Sequence, residues 1–220
     1  MLFRSAIERS LRSAVGTDEL TLHFQPKLDL TTGLLLGAEA LLRWNSPTLG
    51  IMAPDVFIPV AEDSGLIVPL GTWVLEQALT QIKTWQASGL GWLQVSVNVS
   101  AGQFWKQDLP ELVADRLRVS GVPPSMLDLE LTERVAMVNP QEGVRICERL
   151  KGLGVSLSMD DFGTGYSSLS YLSRLPMDVL KIDQSFVRRL GDNRQDEQIV
   201  RSIVQLAHSF GQKRLPFNPR

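Results

Sequence analysis

From residue 20 onward, short segments of alternating apolar and polar residues take turns with longer segments of helical period. Thr21–Asp29 reads as a strand, a Thr-Thr-Gly turn at Thr31–Gly33 returns the chain, and Leu35–Trp44 reads as a second strand. Proline-rich loops follow, then helix Thr72–Ala87 with Trp73, Leu75, Ala78, Leu79 and Ile82 on its buried stripe. Strand Leu93–Ser100, helix Glu111–Ser120, strand Leu127–Thr132 and helix Gln141–Leu153 come next. Strands Val155–Phe162 and Val179–Asp183 and helix Asp196–Phe210 complete the run. Repeated β-then-α units predict an α/β fold built on a parallel sheet, either doubly wound or closed as a (β/α)8 barrel. Ahead of it, Leu2, Phe3, Ile7, Leu11 and Val15 among arginines and glutamates predict a short amphipathic helix, not a signal peptide.

Strand parity locates the chemistry, because successive side chains leave a strand on opposite faces. Val95, Val97 and Val99 share one face, so Asn98 lies with Ser96 and Ser100 on the other. Leu127, Leu129 and Leu131 oppose Asp128 and Glu130; Val155, Leu157 and Met159 oppose Ser156, Ser158 and Asp160. Glu39 shares its face with Leu41 and Arg43, and Lys181 with Asp183. The apolar faces are expected to pack on helices while the polar faces converge inside. Each key polar residue falls near the C-terminal end of its strand, where barrel enzymes place their active sites.

Glu39, Asn98, Glu130, Asp160 and Asp161 are oxygen donors unaccompanied by a nearby His or Cys, which favours Mg²⁺ or Mn²⁺ over zinc. Several carboxylates around one small site are tolerable only when cations neutralise them. Two ions a few ångströms apart would clamp a phosphodiester, with Lys181 adding a positive charge for the phosphate or the attacking water. A single such residue is more often a solvated carboxylate or a helix cap. Five at matching strand ends leave that reading little room. The triplet Asp161-Phe162-Gly163 also occurs in protein kinases, but the glycine-rich loop and His-Arg-Asp segment that would accompany it there are missing.

Other residues invite plainer readings. The segment Gly163-Thr164-Gly165-Tyr166-Ser167-Ser168 fits a lid or subunit contact better than a phosphate cradle. His23 fits a satisfied core histidine facing inward, His208 a surface residue, and Trp85, Trp92 and Trp105 packing. Cys147, the only cysteine, sits beside Ile146 and Leu150 in a helical pattern and reads as a core thiol. One cysteine forms no internal disulfide, which suits a reducing cytoplasm. A net charge of −2 gives no long-range attraction for a nucleic acid polymer or an anionic membrane, and no apolar run reaches the length of a membrane span.

Six ordered segments give the chain a family likeness. They are Phe24-Gln25-Pro26, Ala38-Glu39-Ala40-Leu41-Leu42-Arg43-Trp44, Asn98-Val99-Ser100, Glu130-Leu131-Thr132-Glu133, Asp160-Asp161-Phe162-Gly163-Thr164-Gly165 and Lys181-Ile182-Asp183. Together they resemble the EAL domain, the bacterial cyclic di-GMP (c-di-GMP) phosphodiesterase family. The resemblance implies a modified (β/α)8 TIM-type barrel whose first strand runs antiparallel, and hydrolysis of c-di-GMP to linear pGpG with two Mg²⁺ or Mn²⁺ ions. It implies Glu39, Asn98, Glu130, Asp160 and Asp161 as metal ligands and Lys181 as the catalytic lysine, acting with Asp160 and Asp161. It further implies substrate contacts from Gln25 and Arg43, and a glutamate, Glu133, that steadies loop 162–171, which links the active site to a homodimer interface.

By this reading residues 1–19 form the N-terminal helix, 20–211 the EAL domain and 212–220 a non-matching tail. After Gly211 the family's Val-Ala-Glu-Gly-Val-Glu strand and its final Gln-Gly strand have no counterpart, and two prolines in the last five residues cannot form a central strand. The barrel is therefore expected to lack its last two strands and helices, together with a glutamate that serves as ligand and general base. Loss of a general base typically costs about 10²- to 10⁴-fold, so the chain is expected to be inactive or very weak. With about twenty residues before the first strand, no GGDEF or sensory domain is expected. The alternative is a catalytically dead EAL-type receptor for c-di-GMP or a protein-interaction module. An enolase-like Mg²⁺ barrel using Lys181 as a base has the same ligand chemistry, but the order of the six segments argues against it.

Overall fold

The computed structural model describes residues 2–29, 32–163, 169–188 and 193–209. Segment 164–168, tail 212–220 and the side chain of His208, each assigned a role from sequence, lie outside the described residues. Among the described residues seven strands form one sheet: β1 (Leu20–Leu28), β2 (Leu35–Ser46), β3 (Gly50–Met52), β4 (Gln94–Val99), β5 (Leu127–Thr132), β6 (Ser156–Phe162) and β7 (Val179–Ile182). The order is β1-β2-β4-β5-β6-β7, with the short β3 folded back on the end of β2. β1 runs antiparallel to β2, and β2, β4, β5, β6 and β7 run parallel. This is the TIM-type parallel sheet with an antiparallel first strand that the family resemblance implies; the short β3, also antiparallel to β2, is an addition at the strand end.

The hairpin is closed by Asp29, whose N–H donates to Leu34 O at 2.9 Å while Gly33 N–H donates to Asp29 O at 2.8 Å. Gly33 has φ +69°, which costs a glycine nothing. Gly37 is needed for a different reason. A Cβ there would collide with the backbone carbonyl of Gln94 on β4, so β2 and β4 approach closely just below Glu39.

The outer face of the sheet carries the apolar set that alternation predicts. Val95, Val97, Val99, Leu127, Leu129, Leu131, Leu157 and Met159 are buried in one core cluster. They pack under α3 (Ile67–Ala87), α4 (Ala101–Lys106), α5 (Leu109–Ser120) and α7 (Pro140–Gly152), through Leu75, Leu79, Ile82, Phe104, Val113, Leu117, Cys147 and Leu150. On α3 the apolar residues recur three and four positions apart from Ile67 to Ile82, one face of a 3.6-residue period. Asp108 caps α5 by accepting from Glu111 N–H at 3.1 Å, and Gly121 ends it in the left-handed conformation. Cys147 is fully buried, and burial pushes its thiol up to about 12, which keeps it inert.

A second cluster lies at the N-terminal side, where α1 (Leu2–Ala14) and α2 (Pro54–Ser64) bury Ile7, Leu11, Ala14, Phe57 and Val60 around Trp44. The Trp44 ring meets Phe57 edge-on at 5.4 Å, and its Nε1–H donates to Glu19 Oε2 at 3.1 Å. Among the described residues no helix is long and apolar enough to cross a membrane.

Several local readings need correction. Pro54–Ser64 is a helix, not a proline-rich loop: Pro54 stands in the first turn, where its missing N–H leaves nothing unpaired. His23 is exposed; it shares the inner face with Lys27, but that face opens to solvent along β1. Trp92 is 53% exposed, whereas Trp85 packs edge-on against Phe24 and Trp105 against Phe104.

Candidate metal centre and active site

Sheet register brings the inner-face polar residues into two layers. In the upper layer, Lys181 Nζ lies 2.6 Å from Glu130 Oε2, 3.0 Å from Asp160 Oδ2 and 3.2 Å from Glu39 Oε2. Glu39, Glu130 and Asp160 each offer an oxygen within 4.8 Å of the others. Asn98 joins them from β4, its Nδ2 donating to Glu39 Oε1 at 2.9 Å. Parallel strands β2, β4, β5, β6 and β7 thus each deliver one side chain to one point, and Glu39, Glu130 and Lys181 are buried there.

Asp161 reaches the same strand end by a different route. From Met159 to Phe162 β6 takes three steps while β7 takes two, from Leu180 to Ile182, so β6 bulges at the aspartate pair. Asp161 has φ +55°, the one positive φ among the described non-glycine residues, and its N–H donates to Asp160 Oδ1 at 3.0 Å. Asp161 stands outside the three-carboxylate group, with its side chain exposed. Alternation alone would put neighbouring aspartates on opposite faces; the bulge re-aims the second.

The remaining predicted residues ring this point at different depths. Gln25 is paired with Glu39 across the hairpin and shares its face. Arg43 lies four residues beyond Glu39 on β2, roughly 13 Å along the strand, with Nη1 donating to Leu42 O at 2.9 Å. Glu133 opens α6 (Glu133–Met137), is buried, and accepts from Gly163 N–H at 3.4 Å. Thr132, the end of β5, caps that helix by accepting from Val135 N–H. Strand, cap and loop tether are thus consecutive residues.

The lower layer contains residues that sequence reasoning passed over. Lys27 is 6% exposed and donates to Ser96 Oγ, to Asp128 Oδ2 at 3.4 Å and to Glu130 Oε1 at 3.4 Å. Ser96 Oγ donates to Asp128 Oδ2 at 2.6 Å, and Ser158 Oγ to the same carboxylate at 2.8 Å. Alternation was signal enough for this layer: Lys27 is two residues from Gln25, and Asp128 two from Glu130.

Residues 8–214 match the family model described as the EAL domain. The chain belongs to the EAL domain family. It is 43% identical over 203 residues to the bifunctional diguanylate cyclase/cyclic di-GMP phosphodiesterase MucR of Pseudomonas aeruginosa, covering 92% of this chain and 30% of MucR. It is 45% identical over 208 residues to the uncharacterized protein Rv1354c of Mycobacterium tuberculosis, covering 94% of this chain and 33% of that protein. The chain thus spans about a third of the length of such relatives. Among solved structures, the PaMucR phosphodiesterase in its c-di-GMP complex superposes with a TM-score of 0.90 at 42% identity, over 94% of this chain and 84% of that one. The EAL domain of Mycobacterium smegmatis DcpA superposes at 0.70 with 37% identity, over 86% and 75%.

Among the described residues, the cations paired with Glu39, Asp128, Glu130 and Asp160 are Lys27 and Lys181. Within this group four carboxylates face two lysines, an acidic balance that suits a cation. The donors are carboxylate and amide oxygens, the kind of group that hard divalent cations favour. Burial disfavours the Lys181 ammonium, but Glu130, Asp160 and Glu39 outweigh it and hold its pKa above the ordinary lysine value. At Glu130 the balance tips the other way. Desolvation exceeds the pull of Lys181, Glu39 adds repulsion, and the carboxyl is pushed from 4.5 up to about 7.

A pH dependence follows. The folded state holds the Glu130 proton more tightly than the unfolded chain does. The carboxyl therefore carries no penalty below about pH 4.5 and destabilises progressively as the pH rises to about 7. At 1.36 kcal/mol per pKa unit the loss is on the order of 3 kcal/mol. Urea melts of chelator-treated protein should show that decline, and millimolar Mn²⁺ should flatten it by supplying the missing charge. A flat profile without metal would contradict the buried carboxylate's role.

Proposed function

We propose that this chain carries the site of a metal-dependent c-di-GMP phosphodiesterase, which opens the cyclic dinucleotide to linear pGpG, with turnover by the chain itself weak. The observation that carries the reading is the convergence of Glu39, Asn98, Glu130, Asp160 and Lys181 at the strand ends of an EAL domain. Glu39, Asn98, Glu130 and Asp160, with Asp161 from the bulge, are the residues that would hold two Mg²⁺ or Mn²⁺ ions. Such ions supply Lewis-acid charge at the phosphodiester and lower the pKa of water.

The protein's own groups do the rest. Lys181 is a buried, permanently charged donor that stabilises negative charge developing on the phosphate oxygens. Gln25 lies beside Glu39 and Arg43 roughly 13 Å further along β2, a separation suited to a two-nucleotide ligand lying over the ion site with Arg43 on its distal phosphate. Glu133 steadies the start of the loop after the aspartate pair through the Gly163 amide. The single buried thiol fits a reducing cytoplasm.

The test is incubation of purified protein with c-di-GMP and Mn²⁺, with chromatography for pGpG. Turnover that vanishes with chelator supports the reading. Tight c-di-GMP binding without turnover would replace it with a non-catalytic receptor, and absence of both would end it.

A further inference from the structure

Glu130 is the one carboxylate, among the described residues, that bonds to both lysines. Its Oε2 accepts from Lys181 in the upper layer and its Oε1 from Lys27 in the lower. One oxygen is therefore fixed from each side, and the carboxylate plane is set by two ammonium groups on strands at opposite ends of the sheet order. A buried lysine is costly unless fully paired. Lys27 meets that demand with Ser96, Asp128 and Glu130, and the two serines in turn hold Asp128. An arrangement supplied by four strands and satisfied at every member is rigid, which is what a residue supporting an ion ligand requires.

We propose that Lys27 is a positioning residue for ion binding: it holds Oε1 of Glu130 from beneath, so that Oε2 is presented to the ion site in a fixed plane. Lys27 touches neither ion nor substrate; it acts through Glu130. The inference rests on the reading of Glu130 as an ion ligand.

Charge and position can be separated. Lys27→Met alone removes a positive charge near the site, which by electrostatics strengthens the attraction for a cation and hides a positioning loss. The pair Lys27→Met with Asp128→Asn removes one charge of each sign, leaves the net charge unchanged and avoids a buried unpaired carboxylate. The amide that Asp128→Asn introduces can still bond Ser96 and Ser158. Mn²⁺ binding in the absence of nucleotide, measured by calorimetry or by loss of the free-ion EPR signal, is expected to weaken about 10- to 100-fold in this double variant, the range seen for partners that orient metal ligands. Circular dichroism and the thermal midpoint report whether the variant is folded. Ser158→Ala, which loosens the layer without touching Lys27 or the net charge, is expected to bind Mn²⁺ within about twofold of the parent, well short of that range.

A folded double variant with unchanged Mn²⁺ affinity overturns the proposal, as does an equal loss in Ser158→Ala. Should the pair not fold, Lys27→Gln decides: a fall in affinity against the electrostatic trend supports positioning, and a rise overturns it. If the parent protein itself binds no Mn²⁺, both this inference and the function above fail, an outcome distinct from parent and variant binding alike.

Discussion

Lys181→Met is expected to lower the stability of the metal-free protein by about 3–5 kcal/mol, the usual effect of deleting one partner of a buried ion pair. The lysine stands within 3.2 Å of three carboxylates, two of them fully buried. Without it Glu39, Glu130 and Asp160 must repel one another or take up protons. In a domain of this size the change corresponds to a fall in Tm of roughly 10 °C. Divalent ions should shrink that cost to about half or less, because they bind only the folded site and bring the missing charge. Turnover of c-di-GMP should nevertheless stay down by on the order of 10²- to 10³-fold even with Mn²⁺, the effect of removing one preorganised donor. A melting temperature that falls equally with and without metal would show that the lysine is only a structural strut. The diagnostic is the split between recovered stability and lost rate.

Asp161→Gly separates strain from chemistry at the neighbouring position. Asp161 holds φ +55° at the β6 bulge, a conformation that costs an ordinary residue energy and glycine nothing. Removing the side chain there is expected to leave stability within about 1 kcal/mol of the parent, because relief of strain offsets the greater freedom of glycine in the unfolded chain. Turnover is expected to drop on the order of 10²- to 10³-fold if the carboxylate holds an ion, at 1.36 kcal/mol per tenfold. Asp161→Val supplies the contrast: a β-branched residue at positive φ should cost stability as well as rate. Activity of Asp161→Gly near the parent's would remove Asp161 from the ion site and leave Asp160 to serve alone.

Alternation by itself makes most of the site legible in the sequence. It put Glu39, Asn98, Glu130, Asp160 and Lys181 on one side of their strands, and the sheet register brings those sides together. It failed where the backbone breaks its own period. The bulge at Asp160 and Asp161 adds one residue to a strand, which no count of apolar and polar positions reveals. Short helices escape such a reading because their start signals coincide with strand ends. Ser100 makes a capping box with Gln103 one residue past β4, and Thr132 is at once the last residue of β5 and the cap of α6. Helix α2 is hidden by its prolines: Pro54 suits a first turn only once the helix start is known, and Pro59 sits inside the helix, where sequence alone argues against one. Lys27 is readable in principle, but a lysine two residues beyond Gln25 looks like solvated surface until a paired interior is found for it.

The place of Lys27 on β1, ahead of the other strands, sets the order in which charges arrive during synthesis. A chain emerging from the ribosome presents its N-terminal segments first. Lys27 is therefore available before any of the carboxylates it later meets, and the β1–β2 hairpin needs only local contacts to form. Glu39 and Glu130 come next, still without Lys181, which lies 51 residues beyond Glu130. Lys181 then closes the cluster across 142 residues from Glu39, the longest reach at the site. The chain thus carries a cation ahead of its acidic strands and another behind them, so each end of the sheet order brings a lysine to the carboxylates between.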